Sequence, residues 1–443
     1  MQKQQIRKGF SKLNKDQKID LTASYFENPA EAARELKSYW HENANIQKRL
    51  DEFAENTISN FFFPYGIAPN FVINGNMYLV PMVIEESSVI AAASNAAKFW
   101  SERGGFHAEV LSMTKIGQVH FIWEGDVENL RSAMPAIREK LIRETNGITE
   151  NMRERGGGIL DIELIDMSDK IDNYYQLKAS FETVDSMGAN FINSCLEEFG
   201  QLLKRFLKED GRFSGKEEEC EIIMAILSNY TPECLVKTWV ECDIEEFAEM
   251  DRNLSARQFV DKFERAVRIA QEDEYRATTH NKGVMNGIDA VVLATANDFR
   301  AIEACAHTYA ARNGKYASLT DVSLENGKFR YELNVPLALG TVGGLTSLHP
   351  LANFSLELLN NPGAEQLMMI AAAVGLANNF SAIKSLTTKG IQLGHMKMHL
   401  YNILNQIGVT KEEKEKAVDY FKDKKVSFSN VKELVASLRQ GTS

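Results

Sequence analysis

The chain has 443 residues, of which 44% are hydrophobic and 25% are charged, and this composition excludes a disordered or fibrous protein. The length predicts about two or three domains with at least one large core. The 61 acidic and 50 basic residues give a formal net charge of −11, which disfavours nucleic acids and anionic membranes as partners.

Signals of export and membrane insertion are absent from the sequence. The N-terminus is basic but has no following apolar stretch of signal-peptide length. The longest apolar run, residues 368–377, is far shorter than the about 20 residues that cross a bilayer, so we expect a core helix there. The five cysteines include no C-x-x-C pair, which disfavours a disulfide framework or a zinc ribbon. We therefore expect a cytoplasmic protein.

The first predicted elements are helices followed by a hairpin. Apolar residues at helical spacing in residues 27–60 predict one or two amphipathic helices. Residues 71–80 are two apolar runs around Asn74 and Gly75, a strong signal for a β-hairpin. After the hairpin, Ser87 or Ser88 is expected to cap a helix rich in small residues.

The middle of the chain has the element order of a separate small domain. We predict strands at 118–124, 159–166, 174–184 and 221–227, with helices at 129–145 and 186–207. This β-α-β-β-α-β order is ferredoxin-like. Residues 228–386 are predicted to be mostly helical, with one hairpin around Asn326 and Gly327, and a charged segment with short helices follows.

Two phosphate-binding motifs are missing, because the sequence has neither G-x-x-x-x-G-K-[ST] nor G-x-G-x-x-G between a strand and a helix. An ordinary Rossmann domain is therefore not expected. Asp185 to Asn190 nevertheless open a helix after a strand, where free N–H groups can receive a pyrophosphate and Gly188 permits close approach. The alternative is that Asp185 is a plain N-cap, with Gly188 and Ala189 packed on the sheet.

Several polar residues have both a chemical and a structural interpretation. Lys282, next to a glycine, can polarise a carbonyl group or be an exposed loop lysine, and Asp298 can be a helix cap. Glu86 is either a buried acid beside a lysine or part of a solvated junction. His395 and His399 have zinc-ligand spacing, but no thiolate or carboxylate completes a site, so no metal is expected. One of them can donate a proton, or both are surface residues.

The motifs taken together and in order resemble class II, the bacterial form, of 3-hydroxy-3-methylglutaryl-coenzyme A reductase. The resemblance spans nearly the whole chain and rests on PYGIAPNFVINGNMYLVPMVIEESSVIAAAS, DSMGANFIN, EYRATTHNKGVMNGIDAVVLATANDFRAIEA, GTVGGLTSLHPLA and GIQLGHMKMH. The combination is far more specific than any single string.

The resemblance implies roles for individual residues. The implied catalytic residues are Glu86 as acid, Lys282 as oxyanion stabiliser, Asp298 linking them, and His395 protonating the departing thiolate. The implied substrate-binding residues are Ser88, Arg276 and Asn286, with Arg276 suited to the free carboxylate. The implied cofactor-binding residues are Asp185, Met187, Gly188, Ala189, Asn190 and Asn229.

The resemblance also implies a fold and an activity. The fold is α+β, with a large mostly helical domain (1–111 and 228–386), an inserted ferredoxin-like cofactor-binding domain (112–227) and a C-terminal helical flap (387–443). The activity is two successive hydride transfers from NAD(P)H, reducing the thioester to mevalonate with release of coenzyme A for isoprenoid biosynthesis. The choice between NADPH and NADH stays open at the sequence level, because Glu150, Arg153 and Arg155 suit either, and we favour NADPH. A homodimer or higher oligomer with shared active sites is expected.

Two other functions stay open, a non-catalytic coenzyme A- or nucleotide-binding protein and a coenzyme A-dependent acyl-transfer enzyme. Acyl transfer is disfavoured because no cysteine lies in a recognisable nucleophile setting. The sequence departs from the family at Ser59, where a glycine is usual and a dimer contact could change. It departs again at Ala296, where a glycine often precedes Asn-Asp and Asp298 could shift.

Overall fold

The computed structural model describes residues 8–388, 392–422, 424 and 426–440, and only the backbone of residues 345, 347 and 392–399. The helices are α1 (Lys15–Ala23), α2 (Pro29–Ser38), α3 (Ala44–Asp51), α4 (Val89–Ser101), α5 (Val127–Glu144), α6 (Asn146–Glu154), α7 (Ala189–Glu209), α8 (Ala256–Glu272), α9 (Glu274–Ala294), α10 (Phe299–Ala310), α11 (Pro350–Leu358), α12 (Ala364–Thr387), α13 (Gln392–Ile407), α14 (Lys411–Tyr420) and α15 (Phe428–Gln440). The strands are β1 (Tyr65–Ile73), β2 (Asn76–Val83), β3 (His107–Val110), β4 (Lys115–Trp123), β5 (Gly158–Asp166), β6 (Tyr174–Glu182), β7 (Cys220–Leu227), β8 (Leu235–Asp243), β9 (Thr320–Glu325) and β10 (Lys328–Pro336). The fold is α+β.

The predicted N-terminal hairpin is formed by β1 and β2, which pair antiparallel with Ile73 opposite Asn76. Asn74 and Gly75 make its turn, both with positive φ, which is why this dipeptide was informative. The chain then leaves β2 directly toward α4. The hairpin and α4 thereby place the Glu85-Glu86 turn on the surface of the large core.

The middle segment has the predicted ferredoxin-like topology. Its sheet has the order β5-β6-β4-β7 with antiparallel pairing throughout. The apolar stripes of α5 and α7 pack with this sheet into one core that includes Leu141, Phe199 and Trp123. A short helix, α6, follows α5 and was not predicted. The turn from β6 into α7 lies at the end of this sheet.

Residues 228–386 are mostly helical, as predicted, but they also contribute to a second sheet with a strand that was not predicted. Its order is β3-β8-β10-β9, and β8 was missed. Every second residue of β8 is buried, but two of these are Thr238 and Cys242, so the apolar alternation is weak in the sequence. The predicted hairpin around Asn326 and Gly327 is confirmed as the β9–β10 turn.

The central helix of the large hydrophobic core is α12. The prediction of a core helix at residues 368–377 is confirmed. By length and composition α12 could cross a membrane, but 83% of its most apolar stretch is buried inside the protein, as expected for a core helix. It packs closely against α9 at Gly287, which has no side chain. A Cβ at this position would lie only 2.5 Å from the carbonyl oxygen of Val374. This close contact holds α9, which carries several candidate site residues, against the core.

Candidate active site

Two predicted catalytic residues meet across distant parts of the chain. Glu86 lies in the turn between β2 and α4, and Lys282 is an exposed residue near the middle of α9. The Nζ of Lys282 donates to the Oε2 of Glu86 at 2.7 Å, although the residues are 196 positions apart. Their side chains are 60% and 41% exposed in this chain, so a bound substrate can reach both. We call this pair and its neighbours Ser88, Arg276 and Asn286 the Lys282 half-site.

Ser88 has a strained backbone rather than the expected capping role. It precedes α4 with φ of +81°, and its side chain makes no capping hydrogen bond. The expectation that it caps the helix is therefore wrong, because the left-handed backbone turns the hydroxyl away from the helix N–H groups. Left-handed conformations are costly for residues with a Cβ and often occur at binding sites. The exposed hydroxyl lies two residues after Glu86 and is free to contact a ligand.

The other two predicted substrate residues lie on α9. Asn286 is one helical turn after Lys282 and partly exposed, so both side chains share a face of the helix. Arg276 is half-buried, and burial lowers the pKa of its guanidinium. Among the described residues it has no hydrogen-bonding or salt-bridge partner. A guanidinium in this state is ready to receive a carboxylate.

Asp298 lies at the other end of α9. It is the N-cap of α10, accepting from the N–H groups of Arg300 and Ala301, which agrees with the interpretation as a cap. Its carboxylate is also held by Arg300 in a fork with two 3.0 Å contacts, and this hydrogen-bonded pair lowers the pKa of Asp298. Lys282 and Ala294, the last residue of α9, are twelve residues apart, which is about 18 Å of helix. One chain therefore does not bring Asp298 to the Glu86–Lys282 pair.

Asp298 instead shares a cleft with most of the predicted cofactor residues. The cleft has a volume of about 710 Å³ and is lined by Asp298, Arg300 and the 186–191 segment, which includes Met187, Gly188, Ala189 and Asn190. We call it the Asp298 cleft. The first N–H groups of α7 face this region without a side-chain cap. Gly188 has φ of +84°, and a Cβ there would collide with Thr183, so glycine is needed to start α7 in this way.

Asp185 does not cap α7, so the alternative prediction that it is a plain N-cap is wrong. The N-cap position is Gly188, and Asp185 is three residues earlier in the turn. The Oδ1 of Asp185 accepts from the N–H of Ala364 at 2.7 Å, at the first residue of α12. A carboxylate is favourable at a helix N-terminus, so Asp185 ties the small sheet to the core helix. This contact lies between residues far apart in sequence and had no local signal.

Asn229 lies beside the Asp298 cleft in a smaller cavity that also contacts Met187. Lys115 lines the same cavity, is only 2% exposed and has no hydrogen-bond partner for its Nζ among the described residues. A role for this lysine was not predicted, since it begins β4 three residues before the predicted strand. Its ammonium group adds a positive charge next to the predicted cofactor residues.

A cluster of titratable residues joins α9 to α10 and was also missed. Glu303 accepts from the Nε2 of His307 at 2.7 Å, and the Nδ1 of His307 lies 2.7 Å from the Tyr316 hydroxyl. Asp289 on α9 hydrogen-bonds to Glu303, and burial followed by this contact raises the pKa of Asp289. Asp289 therefore acts as a neutral donor to the Glu303 carboxylate. The available signal was a carboxylate among the apolar residues of a core helix.

The cysteines do not provide an acyl-transfer nucleophile. Burial raises the pKa of the Cys195 and Cys242 thiols to about 12 and of the Cys220 and Cys234 thiols to about 11. Burial raises the pKa of Cys305 as well. Reactive cysteines need the opposite shift. The remaining predicted residue, His395, belongs to α13, but its side chain lies outside the described part of the chain.

Comparison with known proteins assigns the family. The model of the hydroxymethylglutaryl-coenzyme A reductase family matches residues 19–400. This chain belongs to the hydroxymethylglutaryl-coenzyme A reductase family. The 3-hydroxy-3-methylglutaryl-coenzyme A reductase of Archaeoglobus fulgidus is 34% identical over 433 residues, covering 97% of this chain and 94% of the relative. A probable reductase from Borreliella burgdorferi is 32% identical and covers 88% and 84%, respectively.

Solved structures agree with this assignment. A 3-hydroxy-3-methylglutaryl-coenzyme A reductase from Streptococcus pneumoniae is 32% identical, with a TM-score of 0.71 over 97% of this chain and 99% of that chain. The class II enzyme of the same organism, bound to NADPH in open conformations, is 34% identical, with a TM-score of 0.70 over 86% and 99%. The family and fold class predicted from the sequence are confirmed.

Replacing Ala296 with glycine is expected to stabilise the protein. Ala296 has φ of +52°, in the left-handed region that glycine adopts without steric cost. We expect Ala296→Gly to raise the free energy of unfolding by about 0.5–1 kcal/mol, measured by urea denaturation. Ala304→Gly is the matched control, because Ala304 is exposed within α10, where glycine costs about 1 kcal/mol. Equal destabilisation by both substitutions would contradict the prediction.

Asp289→Asn is expected to change how stability depends on pH. The raised pKa of Asp289 means that the folded protein keeps a proton that the unfolded chain loses above about pH 4. The contribution of Asp289 is therefore fully present at low pH and is lost as pH rises, by up to about 1.4 kcal/mol per pH unit. Asparagine keeps the donor to Glu303 without titrating. The free energy of unfolding is measured by urea denaturation at pH 5.5, 6.5 and 7.5. We expect the variant to become more stable relative to wild type at each increase in pH. The same pH dependence of stability in both proteins would contradict the assignment.

Proposed function

We propose that this chain reduces hydroxymethylglutaryl-coenzyme A to mevalonate and free coenzyme A, with NADPH as the reductant in two successive steps. The observation that carries the proposal is the 2.7 Å contact between Lys282 and Glu86. An ammonium and a carboxyl group from separate segments of the chain are in contact there at the protein surface. Reduction of a thioester needs both, one group to stabilise negative charge on oxygen and one to supply a proton.

The roles of the pair follow from their chemistry. The Lys282 ammonium lies where it can neutralise charge on the carbonyl oxygen of the thioester, a contribution worth about 10²–10³ in rate in comparable sites. Glu86 acts as the acid that protonates the same oxygen as the alcohol forms. Because Lys282 donates to Glu86 in the free protein, the two groups are already held within reach of a common atom.

The substrate's free carboxylate is assigned to Arg276. Its planar guanidinium is half-buried and has no described partner, so it can form two parallel hydrogen bonds to a carboxylate. Ser88 and Asn286 flank the reacting pair and are assigned to the hydroxyl and carbonyl oxygens of the substrate. These three residues orient the thioester carbon toward Lys282.

The Asp298 cleft is assigned to the cofactor, which supplies the hydride when it is bound. The uncapped start of α7, a helix of 21 residues, offers free N–H groups and the positive end of its dipole to a pyrophosphate. Gly188 leaves room for close approach, while Met187, Ala189 and Asn190 line the cleft. Asp185 fixes this turn against α12. Arg155 lines a neighbouring cavity together with Asp185, and its guanidinium favours the 2′-phosphate of NADPH over the hydroxyl of NADH.

His395 is assigned to protonation of the coenzyme A thiolate. It lies in α13, which with α14 and α15 encloses a small core of its own, including Leu404, Phe421 and Val431. We propose that residues 387–443 form a flap that delivers the imidazole and excludes water. We likewise assign residues 112–227 to a cofactor-binding domain and residues 1–111 and 228–386 to the large domain.

We infer that the active site is shared between two subunits of a homodimer. The Glu86–Lys282 pair and Asp298 are separated by about 18 Å of rigid helix in one chain. Exposed aromatic side chains occur toward both ends of α9: Tyr275 is 89% exposed, and Phe61, near Ala296, is 87% exposed. Exposed apolar groups of this kind are typical of subunit interfaces. A two-fold axis would bring the Lys282 half-site of one chain to the Asp298 cleft of its partner.

The dimer brings together what the reaction requires. Asp298 then reaches Glu86 and Lys282 across the interface. A cofactor held by the Asp298 cleft would then face a thioester held by the Lys282 half-site. We place the enzyme in the cytoplasm, where it serves mevalonate and isoprenoid chemistry.

Loss of either group of the pair should abolish turnover without unfolding the protein. We expect Lys282→Ala to lower kcat about 10²–10³-fold and Glu86→Gln about 10²–10⁴-fold, measured by NADPH absorbance with hydroxymethylglutaryl-coenzyme A. Lys98→Ala, at an exposed lysine of α4, is the control and should retain activity. Wild type that binds coenzyme A without oxidising NADPH or NADH would instead support a binding protein, and acyl exchange without oxidation would support acyl transfer.

Mixing two inactive variants tests the shared site. Lys282→Ala and Asp298→Asn are each expected to be inactive alone. In a mixed dimer one site would carry both changes and the other neither, so subunit exchange at equal concentrations should restore about one quarter of wild-type activity. If each site lay within one chain, every site would stay damaged and no activity would return. Lys282→Ala mixed with Glu86→Gln is the matched control, because both changes fall in the same half-site and should not complement.

A further inference from the structure

Beneath the Lys282 half-site lies a closed circuit of buried polar side chains that the proposed mechanism does not use. Its members are His280 on α9, Thr320 on β9, Tyr331 on β10 and Asn379 on α12, and each is at most 2% exposed. The Nε2 of His280 lies 2.7 Å from the Thr320 hydroxyl, which lies 3.1 Å from the Tyr331 hydroxyl. The Tyr331 hydroxyl donates to the Oδ1 of Asn379 at 2.7 Å, and the Nδ2 of Asn379 donates to the backbone carbonyl of His280 at 2.6 Å.

The direction of each hydrogen bond in this circuit follows from counting protons. The Tyr331 hydroxyl donates its proton to the Oδ1 of Asn379 and to the Thr320 hydroxyl. The Thr320 hydroxyl also lies 3.1 Å from the Ser318 hydroxyl, whose own proton is directed to the backbone carbonyl of Thr320. The contact with Ser318 therefore takes the Thr320 proton, so the contact between His280 and Thr320 needs a proton on the Nε2 of His280. Thr320 then accepts from two donors and donates once, as a hydroxyl group can.

The Nδ1 of His280 is consequently an unprotonated acceptor. It is buried and has no hydrogen-bond partner among the described residues. Burial, followed by the charge of Arg276, lowers the pKa of His280 to about 3, so the ring is neutral at neutral pH. A buried acceptor without a donor is unfavourable unless a donor arrives in another state of the protein.

Arg276 is a group on the same helix that can supply this donor. It lies one helical turn before His280 on α9, so the two side chains share a face of the helix. Its guanidinium has five N–H donors and no described partner, and its charge already acts on His280 and Tyr331. A guanidinium that gives two donors to a carboxylate still has others for a ring nitrogen.

We propose that His280 is the positioning residue of Arg276: the Nδ1 of His280 accepts a hydrogen bond from the guanidinium and aims its outer edge at the carboxylate of the substrate. The inference rests on the proposed function, because it takes Arg276 as the carboxylate-binding group. The contacts of Thr320 with Ser318 and Tyr331 keep the acceptor form of the ring. The reverse tautomer would direct an N–H at the positively charged guanidinium and turn it away.

The tautomer can be measured without catalysis. Full-length protein labelled with ¹⁵N-histidine is studied by long-range ¹H–¹⁵N correlation at pH 7, and the His280 signals are assigned from their loss in His280→Gln. We expect a protonated Nε2 and an unprotonated Nδ1. A protonated Nδ1, or a charged ring, overturns the inference whatever the activity of the enzyme.

Kinetics test the positioning role. We expect His280→Gln to raise KM for hydroxymethylglutaryl-coenzyme A at least tenfold, with kcat changed less than threefold and KM for NADPH unchanged. His107→Gln, at an exposed histidine of β3, is the matched control and should behave as wild type. Unchanged KM for the substrate overturns the inference. An inactive wild type overturns the proposed function instead, while the tautomer still reports on the circuit.

Removing the acceptor of the Thr320 proton gives a second test that does not depend on the folding of His280→Gln. Ser318→Ala frees the Thr320 proton to reach the Nε2 of His280, so the ring can adopt the reverse tautomer. We expect a detectable Nδ1–H signal and a KM increase of severalfold for hydroxymethylglutaryl-coenzyme A alone. Ser323→Ala, at a partly buried serine of β9, is the control. A Ser318→Ala variant with wild-type KM and tautomer overturns the inference.

Discussion

The length of one rigid helix governs the rest of this active site. Because α9 carries Lys282 near its middle and leads into Asp298 at its end, about 18 Å of helix separates two groups that the reaction needs together. The helix cannot bend to close that distance, since Gly287 and Gly375 let it pack directly against the buried α12. The chain therefore presents two half-sites, which we propose are joined by a second subunit.

Around each half-site the backbone and the buried polar groups have features that are unfavourable for stability. Ser88 and Ala296 both have positive φ, one beside Glu86 and the other beside Asp298. The ammonium of Lys115 and the Nδ1 of His280 are buried without partners in the described part of the chain. Unfavourable features of this kind persist where a ligand or a partner compensates for them. Their positions on both sides of α9 agree with a site assembled from two surfaces.

Much of the fold was predictable because its signals are local. The Asn74-Gly75 and Asn326-Gly327 turns, the amphipathic α5 and α7 and the apolar α12 each depend on residues close in sequence. The missed strand β8 shows where this fails. Its inward positions include Thr238 and Cys242, which become a buried face only because β3 and β10 pair on either side. Ser88 shows a second failure, since a residue suited to capping by its type adopts a left-handed backbone instead.

The sequence by itself determined the family, the α+β class and the identity of the groups available for chemistry, because these depend on residue types and on their order. Only the tertiary structure decided which groups meet. It joined Glu86 to Lys282, attached Asp185 to the start of α12 and Asp298 to Arg300, and closed a circuit of polar side chains under Arg276. The physical reason is that each of these contacts except the Asp298–Arg300 pair joins segments far apart in sequence, whose proximity is set by the packing of helices and sheets around the core.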